Sequence, residues 1–261
     1  MQKAMTCMLI LIVCLSITAL QAIDYESLSV EELTTLSLNG DADAQCELGW
    51  KYFIGGLVKQ NYNEAYKWYL LSAEQGHPVA QNNLGVLHRK GHGVKQNYKE
   101  AHKWCLLAAE QGYAEAQYNL GILYANGFGV KINYKEAHKW YLLSAEQGHV
   151  KAQYNLGSMY YYDEYGMQNY RETRKWWLMA AEQGNEHAQY NLGVMYSVGH
   201  GVIQDMETAY LWFSIAVANA TQESLETYIT IREMVAKELT SNQREKIKKQ
   251  AREWMRDRGF E

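Results

Sequence analysis

One proline, four phenylalanines and four cysteines in 261 residues are a thin supply, and several classes of protein are closed off by what this chain lacks. The cysteines fall at unrelated positions, Cys7, Cys14, Cys46 and Cys105, so no regular disulfide ladder holds the chain together. There is no basic excess: 25 Lys and Arg stand against 29 Asp and Glu, a net charge of −4, which argues against duplex nucleic acid as a partner, because that binding sets cations against phosphates. His-Glu-x-x-His, Gly-x-Ser-x-Gly, Ser-x-x-Lys, Cys-x-x-Cys and the phosphate-cradling Gly-x-x-x-x-Gly-Lys are all missing, so no enzyme class and no cofactor is indicated. No low-complexity or Ser/Gly-rich break interrupts residues 42–220, which reads as one elongated domain. Tyr 21 and Trp 8 dominate the aromatics, so amphipathic rings belong to whatever recurs.

The longest apolar stretch, Met5 to Leu20, is short of the roughly 20 residues a membrane span needs. Lys3 before it and the small residues of Ala19-Leu-Gln-Ala22 after it read as a secretory signal over residues 1–22, although Leu20 is bulky for a cleavage site. Removal of Lys3 with that segment leaves 24 basic against 29 acidic side chains, a net charge of −5. The expected location is periplasmic or secreted, with no integral span after cleavage. Cys46 and Cys105 then read as buried thiols, their pairing in an oxidising compartment left open.

What the chain has is repetition. Gln45, Gln81, Gln117, Gln153 and Gln189 stand 36 residues apart, and a whole unit recurs around each. A unit this short cannot bury its own apolar face and must stack on its neighbours. Ala116, Leu120, Leu123 and Tyr124 keep one stripe at helical spacing, which predicts a first helix over about 114–125. Gly127 and Gly129 break it. Asn133 and Glu136 then form a capping-box pattern, repeated at Asn61/Glu64, Asn97/Glu100 and Asn169/Glu172, and a second helix runs to Gly148. The units are 42–77, 78–113, 114–149, 150–185 and 186–220, with an N-terminal cap over 23–41 and a C-terminal helical cap over 221–261.

Trp68, Trp104, Trp140, Trp176 and Trp212 hold one position of the second helix and read as packing, with the Leu-Gly pairs from Leu48-Gly49 to Leu192-Gly193 giving the rings room. Glu74, Glu110, Glu146 and Glu182 recur near helix ends, where the dipole disfavours them, and an inter-repeat hydrogen bond is the expected reason. His102 and His138 share one phase, His77 and His149 another, but residues one stacked repeat apart stand about 10 Å apart, too far for a zinc that binds at about 2 Å. Thr240 and Gln243 form a capping box before a last helix dense in charge, from Arg244 to Arg258, read as a solvated cap or a basic contact face.

The unit Ala-x-Ala-Gln-x-x-Leu-Gly-x-x-Tyr-x-x-Gly-x-Gly-Val followed by Tyr-x-Glu-Ala-x-Lys-Trp-Tyr-x-x-(Ala/Ser)-Ala-Glu-Gln-Gly resembles the Sel1-like repeat (SLR) family, related to tetratricopeptide repeats. The resemblance covers residues 42–220. It implies an all-α, right-handed α/α superhelical solenoid of about five helix-turn-helix repeats, with a concave groove for a protein or peptide and no catalysis. The paired cysteines of the family's cysteine-rich branch are missing, repeat four has Asp163-Glu-Tyr165-Gly166 in its loop, and repeat five loses its Glu-Gln-Gly end.

By the same resemblance the first helices line the groove, which points to Asn83, Asn119, Asn155 and Asn191 with Tyr118, Tyr154 and Tyr190. An asparagine ladder can hold an extended backbone, or it can tie down neighbouring chain, and both readings stand. Positions that break the repetition should carry specificity: Trp50, Phe53 and Ile54, then Arg89 and Lys90, then Lys151, Tyr161 and Tyr162. The function expected is an exported adaptor for an extended segment with an apolar anchor and a nearby carboxylate. A binder of peptidoglycan or other envelope carbohydrate, or a wall-active enzyme, is the alternative; delivery into a host cell is a further one. Oligomeric state is left open.

Overall fold

A computed structural model describes residues 23–162 and 166–260; the proposed signal segment and residues 163–165 of the repeat-four loop lie outside them. Every regular element among the described residues is a helix. A short α1 (Val30–Leu38) comes first. The five repeats follow as helix pairs: α2 (Ala42–Ile54) with α3 (Tyr62–Glu74), α4 (Pro78–Lys90) with α5 (Tyr98–Glu110), and α6 (Ala114–Asn126) with α7 (Tyr134–Glu146). Then come α8 (Val150–Tyr161) with α9 (Tyr170–Glu182), and α10 (Glu186–Val198) with α11 (Met206–Asn219), closed by α12 (Leu225–Ala236) and α13 (Ser241–Arg256). This is the all-α solenoid that the 36-residue period required. The helices gather into two compact units, Met1–His77 with repeat one and Pro78–Glu261 with the rest.

In the first unit, Leu33, Ala44 and Leu48 form the core, with Trp68 and Tyr52 packed against it. In the second, each second helix touches both its own first helix and the first helix of the next repeat, so the core runs on without a break. Leu120, Leu156 and Leu192 are at most 1% exposed, and burying each contributes about 1.5–3 kcal/mol. Trp140, Trp176 and Trp212 are buried, whereas Trp68 and Trp104 are half-buried, so the tryptophan ladder is packing to different degrees.

The ring that faces each Leu-Gly glycine is the residue after the ladder tryptophan. A Cβ on Gly49 would stand 2.7 Å from the Tyr69 ring, one on Gly121 2.6 Å from Tyr141, and one on Gly193 2.8 Å from Phe213. Trp177 faces Gly157 in the same way, and Cys105 takes the ring's place opposite Gly85. Cys105 is therefore the small member of an aromatic series. It and Cys46 are free, buried thiols, and burial pushes both up to about 12.

The 36-residue glutamines form a buried amide ladder. Gln153 donates from Nε2 to Ala145 O (3.2 Å) and accepts at Oε1 from Gln183 Nε2 (2.8 Å), which also reaches Gly148 O (3.1 Å). Gln117 does the same between Ala109 O and Gln147, and Gln45 between Ser37 O and Gln75. In repeat five Asn219 replaces the donor and still reaches Gln189 at 3.0 Å. The inter-repeat bond expected of the glutamates is made in repeats three and four by the glutamine that follows, Gln147 donating to Gly112 O (3.0 Å) and Gln183 to Gly148 O; Glu74, Glu110, Glu146 and Glu182 are exposed, and Glu182 meets Arg258 at 3.5 Å.

The capping boxes are half right. Asn133 accepts from Lys135 N (3.1 Å) and Glu136 N (3.1 Å), as expected of an N-cap. Its own N–H, which the glutamate should meet, donates instead to Tyr124 O (3.0 Å), closing the loop onto the first helix; Asn61, Asn97 and Asn169 do the same. Freed from that duty, Glu136 faces Lys139 at 3.9 Å. Complete boxes exist at Ser29/Glu32 and Thr240/Gln243, where no such backbone acceptor competes. Gly129 is fixed by crowding as well as by its φ of +77°, because a Cβ there would strike Tyr98 O of the preceding repeat.

Candidate partner-binding face

The asparagines proposed for the groove are joined to the preceding repeat. Asn119 Nδ2 donates to Asn82 Oδ1 at 2.9 Å, and both are buried. Asn155 hydrogen-bonds Tyr118, and Asn191 hydrogen-bonds Tyr154. Each bond spans 37 residues, so the asparagine and the residue before it form one ladder across α4, α6, α8 and α10. Asn82 stands in repeat two where later repeats have tyrosine. Asn83 is half-buried.

Tyr118 lies between Tyr141 (5.9 Å between centroids) and His149 (4.7 Å), Tyr154 beside His187 (5.8 Å), and Tyr190 stacks on Tyr228 of α12 at 4.6 Å. Burial raises the hydroxyl pKa of all three. They keep their protons and serve as hydrogen-bonding rings. His149 accepts from Ala152 N on Nδ1 (3.1 Å) and meets Glu115 through Nε2 (2.8 Å), which holds the Glu115 carboxyl below its usual range.

The positions that break the repetition are spread out. Lys90 and Lys151 are exposed and Arg89 is half-buried. Tyr161 sits among Tyr162, Tyr170, Trp177 and His200, its hydroxyl 2.9 Å from His200 Nδ1, while Tyr162 is 48% exposed. In the first unit Trp50, 45% exposed, stacks on Phe53 at 6.0 Å.

Of the groove candidates, Asn155 opens on a cavity of about 310 Å³ between repeats three and four. Ala125 and Asn126 of α6, Ser158 and Met159 of α8, and Tyr134 and Tyr141 of α7 complete its walls. Sequence reasoning missed these six. The available signal was Ala125, a small residue where repeats one, two and four have Phe53, Arg89 and Tyr161.

A wider cleft of about 650 Å³ lies between α11 and α13, with Asp205, Glu253 and Asp257 around Trp254 and Arg258. The basic face expected of α13 is largely paired within itself: Lys248 meets Glu245 at 3.0 Å, Lys249 meets Glu253 at 3.8 Å, and Arg258 lies 4.2 Å over Trp254. Among the described residues no cluster of His, Cys, Asp or Glu is arranged to hold a metal ion, and no helix is long and apolar enough to cross a membrane.

The sequence model of the Sel1 repeat matches residues 42–77, 78–113, 114–149, 150–185 and 186–220, which are the five units the helices trace. The chain belongs to the Sel1 repeat family. Sel1 repeat proteins are in general scaffolds for protein interactions, without catalysis of their own. A Sel1 repeat protein from Oxalobacter formigenes is 30% identical over 86% of this chain and 99% of its own, with a TM-score of 0.69. A protective antigen of uropathogenic Escherichia coli strains with an SLR fold is also 30% identical, over 89% of this chain, with a TM-score of 0.70; this chain spans 56% of that protein's length. No curated protein matches the chain.

Proposed function

We propose that this Sel1 repeat chain is an exported adaptor, secreted or periplasmic, that takes an extended segment of another protein along the first helices of repeats two to five. The observation that carries this reading is the cavity at Asn155 and Ser158, with the exposed Lys151 one helical turn before Asn155 on α8 and Arg89 and Lys90 at the end of the first helix α4. A pocket for one side chain with cations on the same run of first helices suits a peptide bearing an anchor and a carboxylate. The asparagine ladder keeps that face rigid, which lowers the entropic cost of binding. Residues 1–22, with Lys3, the apolar run and Ala22, support export.

A photo-crosslinker at Lys151, on α8, should give a discrete protein adduct in the native cell, and one at Lys103, on the second helix α5, should not. With the partner purified, replacing Arg89, Lys90, Lys151 and Tyr162 together by Ala should weaken affinity at least tenfold. These four are preferable to Asn119 and Asn155, whose loss would also cut ties between repeats. Unchanged affinity, or equal adducts from both positions, would overturn the assignment. A reproducible rise in melting temperature with peptidoglycan fragments would favour an envelope carbohydrate binder instead.

A further inference from the structure

The cavity beside Asn155 has an internal template. In repeat four the ring of Tyr161 packs against Tyr170 (5.7 Å between centroids) and Trp177 (5.0 Å). In repeat one Phe53 packs against Tyr62 at 5.5 Å. The equivalent residues of repeat three, 36 positions before those of repeat four, are Ala125, Tyr134 and Tyr141, and all three line the cavity. Both receiving rings are present there, but the third residue ends at Cβ. Repeat two has Cys105 in place of the second ring and repeat five has Met206 in place of the first, so two receiving rings beside a small residue occur in repeat three alone. Tyr134 is 36% exposed, Tyr141 and Met159 each 4%, giving the site an open mouth and a closed floor.

We infer that this cavity receives an aromatic side chain of the partner, a tyrosine, in the place that Phe53 and Tyr161 occupy in their own repeats. The inference rests on the first-helix face being the partner surface and specifies the anchor. Aromatic faces at these spacings favour a ring over an aliphatic chain through offset and edge contacts. The rim then selects among rings. Ser158 Oγ donates to Tyr154 O (2.9 Å) and also meets the Tyr154 side chain, and Asn126 Nδ2 donates to Ile122 O (2.8 Å), so the Asn126 carbonyl oxygen is left to accept. A phenol hydroxyl supplies that oxygen with a donor, which a phenylalanine ring lacks.

The test uses the full chain with methionine methyl groups labelled, and p-cresol as the phenol probe beside toluene. Titration with p-cresol should shift the Met159 methyl resonance saturably, and toluene should bind roughly three- to tenfold more weakly. Ala125→Tyr, which gives repeat three the ring that repeat four has, should abolish the shift without lowering the unfolding midpoint. Should that variant fold poorly, Ser158→Leu, which narrows the site from the opposite wall, should weaken p-cresol at least tenfold. Absence of a saturable shift, a shift that survives both variants, or toluene binding as tightly as p-cresol overturns the inference. No partner is needed for this assay, so its failure is distinct from failure of the Lys151 crosslink.

Discussion

Gly157→Ala sets two effects of opposite sign against each other. Within α8 an alanine should stabilise the helix by about 1 kcal/mol relative to glycine. The added Cβ, however, would stand 2.8 Å from Trp177 Nε1 and 3.1 Å from Cγ. Trp177 is 1% exposed and packs in the core formed by repeats four and five and α13, and its Nε1 donates to Tyr154 O at 3.2 Å. The ring cannot swing aside without leaving that core and that bond. Overpacking costs about 1–3 kcal/mol, and loss of the hydrogen bond about 1 kcal/mol more, so crowding wins by about 1–3 kcal/mol. Urea unfolding followed by circular dichroism should show a lower midpoint with an unchanged slope. In a Trp177→Ala background the obstacle is gone, and the same Gly157→Ala change should become stabilising by up to about 1 kcal/mol. Gly157→Ala as stable as the parent, or a cost that persists once Trp177 is removed, would refute the reasoning that the glycine exists for the ring.

The amide ladder should appear as a coupling of about 0.5–1.5 kcal/mol between Gln153→Leu and Gln183→Leu in a double-mutant cycle, while Gln153→Leu with Gln111→Leu, which share no partner, should be additive within about 0.5 kcal/mol. Asn133→Ala should destabilise by about 1 kcal/mol, whereas Glu136→Ala should stay within about 0.5 kcal/mol, because its ion pair with Lys139 is exposed. Cys46 and Cys105, pushed up to about 12 by burial against an ordinary value of 9.0, should resist a thiol reagent at pH 8 in the folded protein and react in urea. Since the unfolded chain releases those protons first, they should also make stability fall as pH rises through about 9. Burial holds His88, His102 and His138 below the ordinary 6.5; unfolding then takes up protons, so urea midpoints should fall as pH drops through 6.5, and His138→Asn should flatten that dependence.

Much of this molecule is legible along the chain because helix formation is decided within four residues. The Asn caps, the glycine stops and the apolar stripe gave α6 and α7 to within a residue or so, and the 36-residue period gave the stacking and the family. What failed to carry over were contacts with equally local alternatives. The Asn133 N–H could take a side chain three residues on or a carbonyl nine residues back, and only the folded loop brings Tyr124 O within 3.0 Å. Glu146 and Gln147 are adjacent, and the turn of the helix gives the inter-repeat bond, to Gly112 O, to the second of them.

The sequence by itself determined that this is a Sel1 repeat array of helix pairs with register marked by Gln, Trp and Leu-Gly, since those depend on spacing alone. Tertiary structure decided which neighbours lie 30 and 37 residues apart, and so tied the glutamines across the two helices of one repeat and three of the four asparagines to the preceding repeat. It also decided that Ala125, an unremarkable helical alanine in the sequence, leaves two tyrosines facing a cavity, because whether a missing side chain is filled by a neighbour depends on how the repeats stack.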